Sequence, residues 1–261
     1  MTSLLLTGAA GRMAQPLRPA LADDFDLVRL FSRSALDSVS PREEVALGDL
    51  EDLAALERAS EGVDVVVHLG GKADEAPFDE ILSANIVGTH NVFEAARRAG
   101  VRRVVYASSH HVTGFHPVSQ MVGVHSDVRP DTYYGVSKVF GEALGRLYHD
   151  KWGLEVVCLR IGVCRQEPEN SDQLRTWLSV PDSIRLVRAA ALNDVPGGFI
   201  TVYGVSDNTN RFWDDGPGQR LGFVPKDSAD AFADRFGGVQ PFSTTWQGGA
   251  FTKPDYQGGT W

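Results

Sequence analysis

Three segments constrain the fold more than anything else in the chain: VDVVVHL at 63–69, RVVYA at 103–107 and EVVCLRI at 155–161. Each is a short, nearly unbroken apolar run rich in valine. A strand with one wet face alternates polar and apolar residues, whereas an unbroken run suits a strand covered on both faces. Helical spacing fills the intervals, at 78–99 before Gly100 and at 131–151 before Gly153. Residues 3–7, 25–31 and 44–47 read as further strands, and 53–59 as a helix. Doubly buried strands joined through helices predict an α/β fold, a doubly wound parallel sheet.

After Gly162 the rhythm changes. Residues 171–192 read as helix, 199–203 as strand and 228–236 as a short helix, and the rest is rich in Gly, Pro, Trp and Asp. The expected organisation is a Rossmann domain over 1–162 and a small C-terminal substrate lobe, 163–261, integrated with it. The tail at 237–261 has few apolar anchors and is expected to lie across the surface.

Charge and cysteine usage narrow the partners. The formal net charge is −9 and no basic stripe is visible, which disfavours nucleic acid. No stretch approaches the roughly 20 apolar residues of a membrane span. Cys158 and Cys164 form no CxxC pair, and the apolar run at the N-terminus is short with no basic residue before it, so a reduced cytoplasmic chain is expected. His110, His111, His116 and His125 fit no metal-ligand spacing, and no metal is expected.

Two motifs carry chemistry. LLLTGAAGRMA sets Gly8 and Gly11 between a strand and a helix, where free N–H groups can meet a pyrophosphate. A plain turn is the competing reading. Ala14 stands where a third glycine is usual, and Pro16 and Pro19 predict a helix that kinks or starts late, since an interior proline costs ~3 kcal/mol. DTYYGVSK sets Tyr134 and Lys138 four residues apart, on one helix face. An ammonium near a phenol lowers its pKa, which would let Tyr134 exchange a proton with an alcohol or carbonyl. YASSH brings Ser108 and Ser109 to the same sheet edge as Gly8 and Gly70.

TGAAG, Asp49 in GDL, HLGG, NIVGT, the serine pair at 108–109 with Gly114, and YGVSK together resemble the extended short-chain dehydrogenase/reductase family over the first ~160 residues. The resemblance implies catalytic roles for Ser109, Tyr134 and Lys138. Tyr134 would be the acid/base, Ser109 would bind the reacting oxygen, and Lys138 would hold the nicotinamide ribose. It places Asp49 and Leu50 at the adenine and Asn85 on the central helix near the cofactor. Met13, Leu69, Gly70, Gly71, Ile161 and Cys164 would complete the cofactor wall. It further implies a homodimer or higher homo-oligomer packed through the two long helices.

FDEILSANIVGT, RPDTYYGVSK, RIGVC, FWDD and LGFVPKDSAD are similar to the uronate dehydrogenase branch, whose members oxidise a hexuronic acid to a lactone with NAD. Ser109 and His111 are retained at its substrate positions. The other matching positions read Ala73, His110, Val163 and Asp172 in place of small polar side chains and an arginine. An aspartate at Asp172 would repel a carboxylate by a few kcal/mol at ~4 Å, which points away from uronates unless Arg165 or Arg175 compensates. The second strand ends in Ser32–Arg33, where a carboxylate would bind the free ribose hydroxyls of NAD. With Arg12 nearby, Arg33 can pair with a 2′-phosphate. The reading is therefore an NADP-preferring oxidoreductase acting on a CH–OH or C=O group of a small sugar. The alternatives are an NAD-dependent uronate dehydrogenase, a sugar-nucleotide epimerase or dehydratase, and a non-catalytic NADP sensor.

Overall fold

The structure, a computed structural model, describes residues 2–259. Strand β1 (Ser3–Thr7) leads through a glycine turn to α1 (Ala14–Asp24), β2 (Leu27–Ser32), β3 (Glu43–Leu47), α2 (Leu53–Ser60) and β4 (Val65–His68). There follow α3 (Phe78–Ile81), a π-helical segment (Leu82–Val87), α4 (Gly88–Arg98), β5 (Arg103–Ser109), a 3-10 turn (His110–Thr113), α5 (Tyr133–Trp152) and β6 (Glu155–Ile161). The remainder holds β7 (Val163–Cys164), α6 (Gln173–Thr176), β8 (Trp177–Leu178), α7 (Val180–Leu192), β9 (Phe199–Gly204), α8 (Gly216–Leu221), and 3-10 segments at Ala229–Phe236 and Gly249–Thr252.

Seven strands form one parallel sheet in the order β3-β2-β1-β4-β5-β6-β9. The winding reverses between β1 and β4, so a crevice opens at the carboxyl ends of these strands. The apolar runs explain the layers. Leu4, Leu6, Val65, Val67, Val105 and Val157 pack on the α1 and α7 side, while Leu5, Val66, Val104, Val156 and Cys158 pack against α2, α4 and α5. All of them are buried, and full burial of such a side chain contributes about 1.5–3 kcal/mol. The segment 163–261 also supplies α7 and β9, and β9 is the edge strand of the sheet beside β6. Among the described residues no helix is long and apolar enough to cross a membrane.

Four local expectations need correction. The helix expected over 171–192 is broken by β8, which pairs with β7. Pro181 lacks an N–H and its ring would clash with the preceding turn, so α7 begins afresh with Ser179 capping Asp182 N at 2.9 Å. The long helix over 78–99 is interrupted by the π-helical segment. Phe25 caps α1 through its N–H to Leu21 O, and β2 starts at Leu27. The tail is anchored and does not merely lie across the surface. Gln247 is buried, donates to Pro117 O and Gln120 O, and accepts from Trp213 Nε1, while Phe251 is buried beside Tyr134 and Ile81.

Candidate active site

The glycine turn after β1 lies against the loop after β4. Gly8 has φ +69°, and a Cβ there would fall 2.7 Å from Gly70 N, so only glycine fits. Gly11 N donates to Gly8 O at 2.8 Å, and α1 starts late, after Met13, with no side-chain cap on its first N–H groups. These amides face a cleft of 1510 Å³, room for more than one drug-sized ligand.

The structure gathers most of the expected residues around this cleft. Gly8, Gly11, Arg12 and Met13 line it beside Ser32 and Arg33 of the β2 end. Asp49, Leu50, Leu69, Gly70 and Gly71 form the adjoining wall. At the far end lie Ala73, Ser109, His110, His111, Tyr134 and Lys138, with Ile161 and Cys164 opposite.

Asn85, Val163 and Asp172 do not line the cleft. Asn85 sits in the π-helical segment, accepts from Lys72 N at 2.7 Å and donates to Lys72 O and Ser137 Oγ, so it pins the loop after β4 to α5. Val163 pairs with Trp177 in the small sheet. The Asp172 carboxylate accepts from the backbone N of Ser243, at 3.0 Å, and from its hydroxyl. It is thus turned to the C-terminal segment. Arg175 is likewise bound to Gln240 O, at 2.9 Å, whereas Arg165 lines the cleft and pairs with Glu169 at 2.5 Å.

The chemistry concentrates where α5 meets the end of β5. Thr132 caps α5 through Gly135 N, and Glu75 accepts from Tyr134 N at 2.8 Å. Lys138 is buried, donates to Ala107 O at 2.8 Å and lies 5.4 Å from the Tyr134 ring centroid. Burial lowers the Lys138 ammonium to about 8. Burial pushes the Tyr134 phenol up to about 12; its Ser109 contact opposes this, and the charges of Asp131 and Asp74 add to it. The expected lowering of the phenol by Lys138 is thus not found. Desolvation of the phenolate outweighs a lysine that is itself drawn toward neutrality.

Several residues were not singled out from the sequence. His111 Nδ1 contacts the fully buried Asp131 carboxylate at 2.7 Å, and its ring stacks on Phe251 at 3.8 Å. Gln166, Glu167, Glu169 and Arg235 form the outer wall. Asp131 lies in the RPDTYYGVSK segment and could have been found from its place just before a helix. Phe251 ends the QGGAF segment at 247–251, which is similar to the uronate dehydrogenase branch, but nothing local tells that it packs on His111; Arg235 carries no local signal.

A doubly wound parallel sheet, a glycine turn at its switch point and the Ser109, Tyr134 and Lys138 side chains in one cleft define a dinucleotide-binding oxidoreductase of the Rossmann class. The chain belongs to the NAD dependent epimerase/dehydratase family, which residues 4–164 match. It is 44% identical over 256 residues to a uronate dehydrogenase of Pseudomonas syringae pv. tomato, covering 95% of this chain and 92% of that one. It is 36% identical to the L-arabinose 1-dehydrogenase (NAD(P)(+)) of Haloferax volcanii, over 88% and 98% of the two chains. A crystal structure of uronate dehydrogenase from Agrobacterium tumefaciens, a mutant complexed with NAD, superposes with a TM-score of 0.90 at 40% identity, covering 98% of this chain and 99% of that one.

Proposed function

We propose that this chain oxidises the CH–OH at the anomeric carbon of a free sugar, with NADP preferred and the hydride passing to C4 of the nicotinamide. The observation that carries the reading is the grouping of Ser109, Tyr134 and Lys138 at the inner end of a dinucleotide-sized cleft. In this reading Tyr134 takes the hydroxyl proton, Ser109 orients the reacting oxygen, and Lys138 binds the nicotinamide ribose. The oxidised nicotinamide carries a positive charge, which would draw the Tyr134 phenol down from the high value that burial gives it. Ser32 and the exposed Arg33, with no carboxylate at the β2 end, support the NADP preference.

A neutral sugar is favoured because the guanidinium groups at the outer wall are matched by acids, Arg165 by Glu169 and Arg235 by Glu167. The second reading is a uronate as substrate with NAD, favoured by the 44% identity to a uronate dehydrogenase and by the removal of Asp172 from the cleft. The deciding experiment follows absorbance of the reduced nicotinamide with aldoses and uronates, each with NADP and with NAD. Turnover of neutral aldoses with NADP is expected. Efficient turnover of glucuronate or galacturonate with NAD alone would replace the first reading by the second, and no turnover of any sugar would reject both. The exposed Phe78, Leu82, Val87, Val136 and Leu147 on α3–α4 and α5 support a homodimer, which light scattering at micromolar concentration tests.

A further inference from the structure

His110 and His111 are neighbours in the chain, their ring centroids are 4.0 Å apart, and both line the substrate end of the cleft. Their Nδ1 atoms meet opposite surroundings. His111 Nδ1 lies 2.7 Å from the Asp131 carboxylate. That carboxylate is fully buried and closely caged, since a Cβ on Gly114 or Gly248 would collide with it. A buried carboxylate accepts only, so the Nδ1 of His111 carries the proton and, in the neutral ring, Nε2 presents a lone pair. His110 Nδ1 is enclosed and has no hydrogen-bond partner among the described residues. An orphaned buried N–H is rarer in folded proteins than an under-used acceptor. The lone pair therefore belongs on Nδ1 of His110 and the proton on Nε2. The ring is packed on Trp213 at 5.0 Å, and burial with the adjacent His111 holds it well below the ordinary imidazole pKa, hence neutral.

We infer that the two histidines form a donor–acceptor pair, His110 donating from Nε2 and His111 accepting at Nε2, that selects a sugar bearing a free hydroxyl next to the oxidised carbon, with Asp131 as the positioning residue that sets the polarity. This rests on the proposed sugar oxidation. The placement next to the reacting carbon follows because both residues directly succeed Ser109, and the His111 ring lies 5.9 Å from the Tyr134 ring. A hydroxyl can satisfy either nitrogen, since it both donates and accepts, whereas a carboxylate can satisfy only the donor. The pair therefore suits a polyol edge and disfavours an anion at this spot.

The polarity is readable without any substrate. Nitrogen-15 spectra of the imidazoles in the whole protein at about pH 9, well above the ordinary histidine pKa of ~6.5, should show a pyridine-like Nδ1 for His110 and a pyrrole-like Nδ1 for His111, assigned by the signals lost in His110→Phe and His111→Phe. The same tautomer in both rings, or the reverse assignment, overturns the inference even if the enzyme oxidises sugars. Recognition is tested with D-glucose, D-galactose, D-xylose and L-arabinose and their 2-deoxy forms, with NADP. Wild type should prefer the parent sugar by roughly ten-fold or more in kcat/KM. That preference should shrink toward unity in His110→Phe or Asp131→Ala, mainly through KM, with the cofactor Kd unchanged. Undiminished preference in both variants overturns the recognition role. A parallel loss of cofactor affinity and Tm in Asp131→Ala, with preference kept in His110→Phe, would make Asp131 a structural residue only. Absence of turnover with every sugar would reject the proposed function and leave the spectra to decide the polarity.

Discussion

Replacing Ser32 by aspartate should reverse the cofactor choice, and the size of the change can be worked from the end of β2. Ser32 is the last residue of that strand; its carbonyl accepts from Gly48 N at 3.0 Å and its hydroxyl from Ser34 N at 3.3 Å. Arg33 follows, exposed, on the cleft wall. A 2′-phosphate ~4 Å from a guanidinium gains about 1 kcal/mol in bulk water and about 4 kcal/mol at an effective dielectric of 20. Exposure and salt screening keep Arg33 toward the lower part of that range. About 1–2 kcal/mol corresponds to roughly a 5- to 30-fold preference for NADP. In Ser32→Asp the new carboxylate repels the phosphate and accepts from the free ribose hydroxyls of NAD, so the preference should invert. The assay is the dissociation constant of NADP and of NAD, by calorimetry, for wild type, Arg33→Ala and Ser32→Asp. Equal binding of both cofactors by wild type, unchanged in Arg33→Ala, would show that the Ser–Arg pair is a solvated loop and would refute the reasoning.

Three further outcomes are expected. Tyr134→Phe should lower kcat on any confirmed substrate about 10²-fold or more with cofactor Kd little changed; near-normal turnover would remove Tyr134 from the chemistry. Lys138→Met should raise the Tm of the cofactor-free protein at neutral pH. The folded lysine titrates at about 8, below its ordinary value of 10.5, so the unfolded chain holds more protons between those values and wild-type stability should rise with pH across that window, by at most roughly 3 kcal/mol. A flat pH dependence in this window, equal in wild type and variant, would contradict the buried placement of the ammonium. Asp172→Ala should lower stability by about 0.5–1.5 kcal/mol through loss of its Ser243 contacts while leaving uronate rates unchanged; a gain in uronate oxidation would put the carboxylate back in the cleft.

The sheet was legible because doubly buried strands write themselves as unbroken apolar runs, and VDVVVHL, RVVYA and EVVCLRI all became central strands. The glycine turn and the Tyr134–Lys138 spacing were legible for a similar reason, since each depends on a few consecutive residues. What was hidden depends on distant partners. Asp172 looked like a cleft residue because a sequence position says where a backbone lies and not which way the carboxylate turns; its partner Ser243 is 71 residues away. How Asn85 ties the loop after β4 to α5 was hidden too, since its bonds to Lys72 and Ser137 span two other segments. The raised Tyr134 phenol follows from burial, which no local spacing reveals.

The polar wall of the substrate end is closed from far along the chain. Gly248 packs on the Asp131 carboxylate and Phe251 on the His111 ring, more than a hundred residues after Tyr134 in the chain. Domains form as they emerge during synthesis, so a nascent chain released only as far as β9 already owns every strand of the sheet and the glycine turn. It also carries Ser109, His110, His111, Asp131 and Tyr134, but not yet Gly248 and Phe251, which cage the carboxylate and cover the His111 ring. The polar end of the cleft thus acquires its last packing partners only when the C-terminal segment arrives.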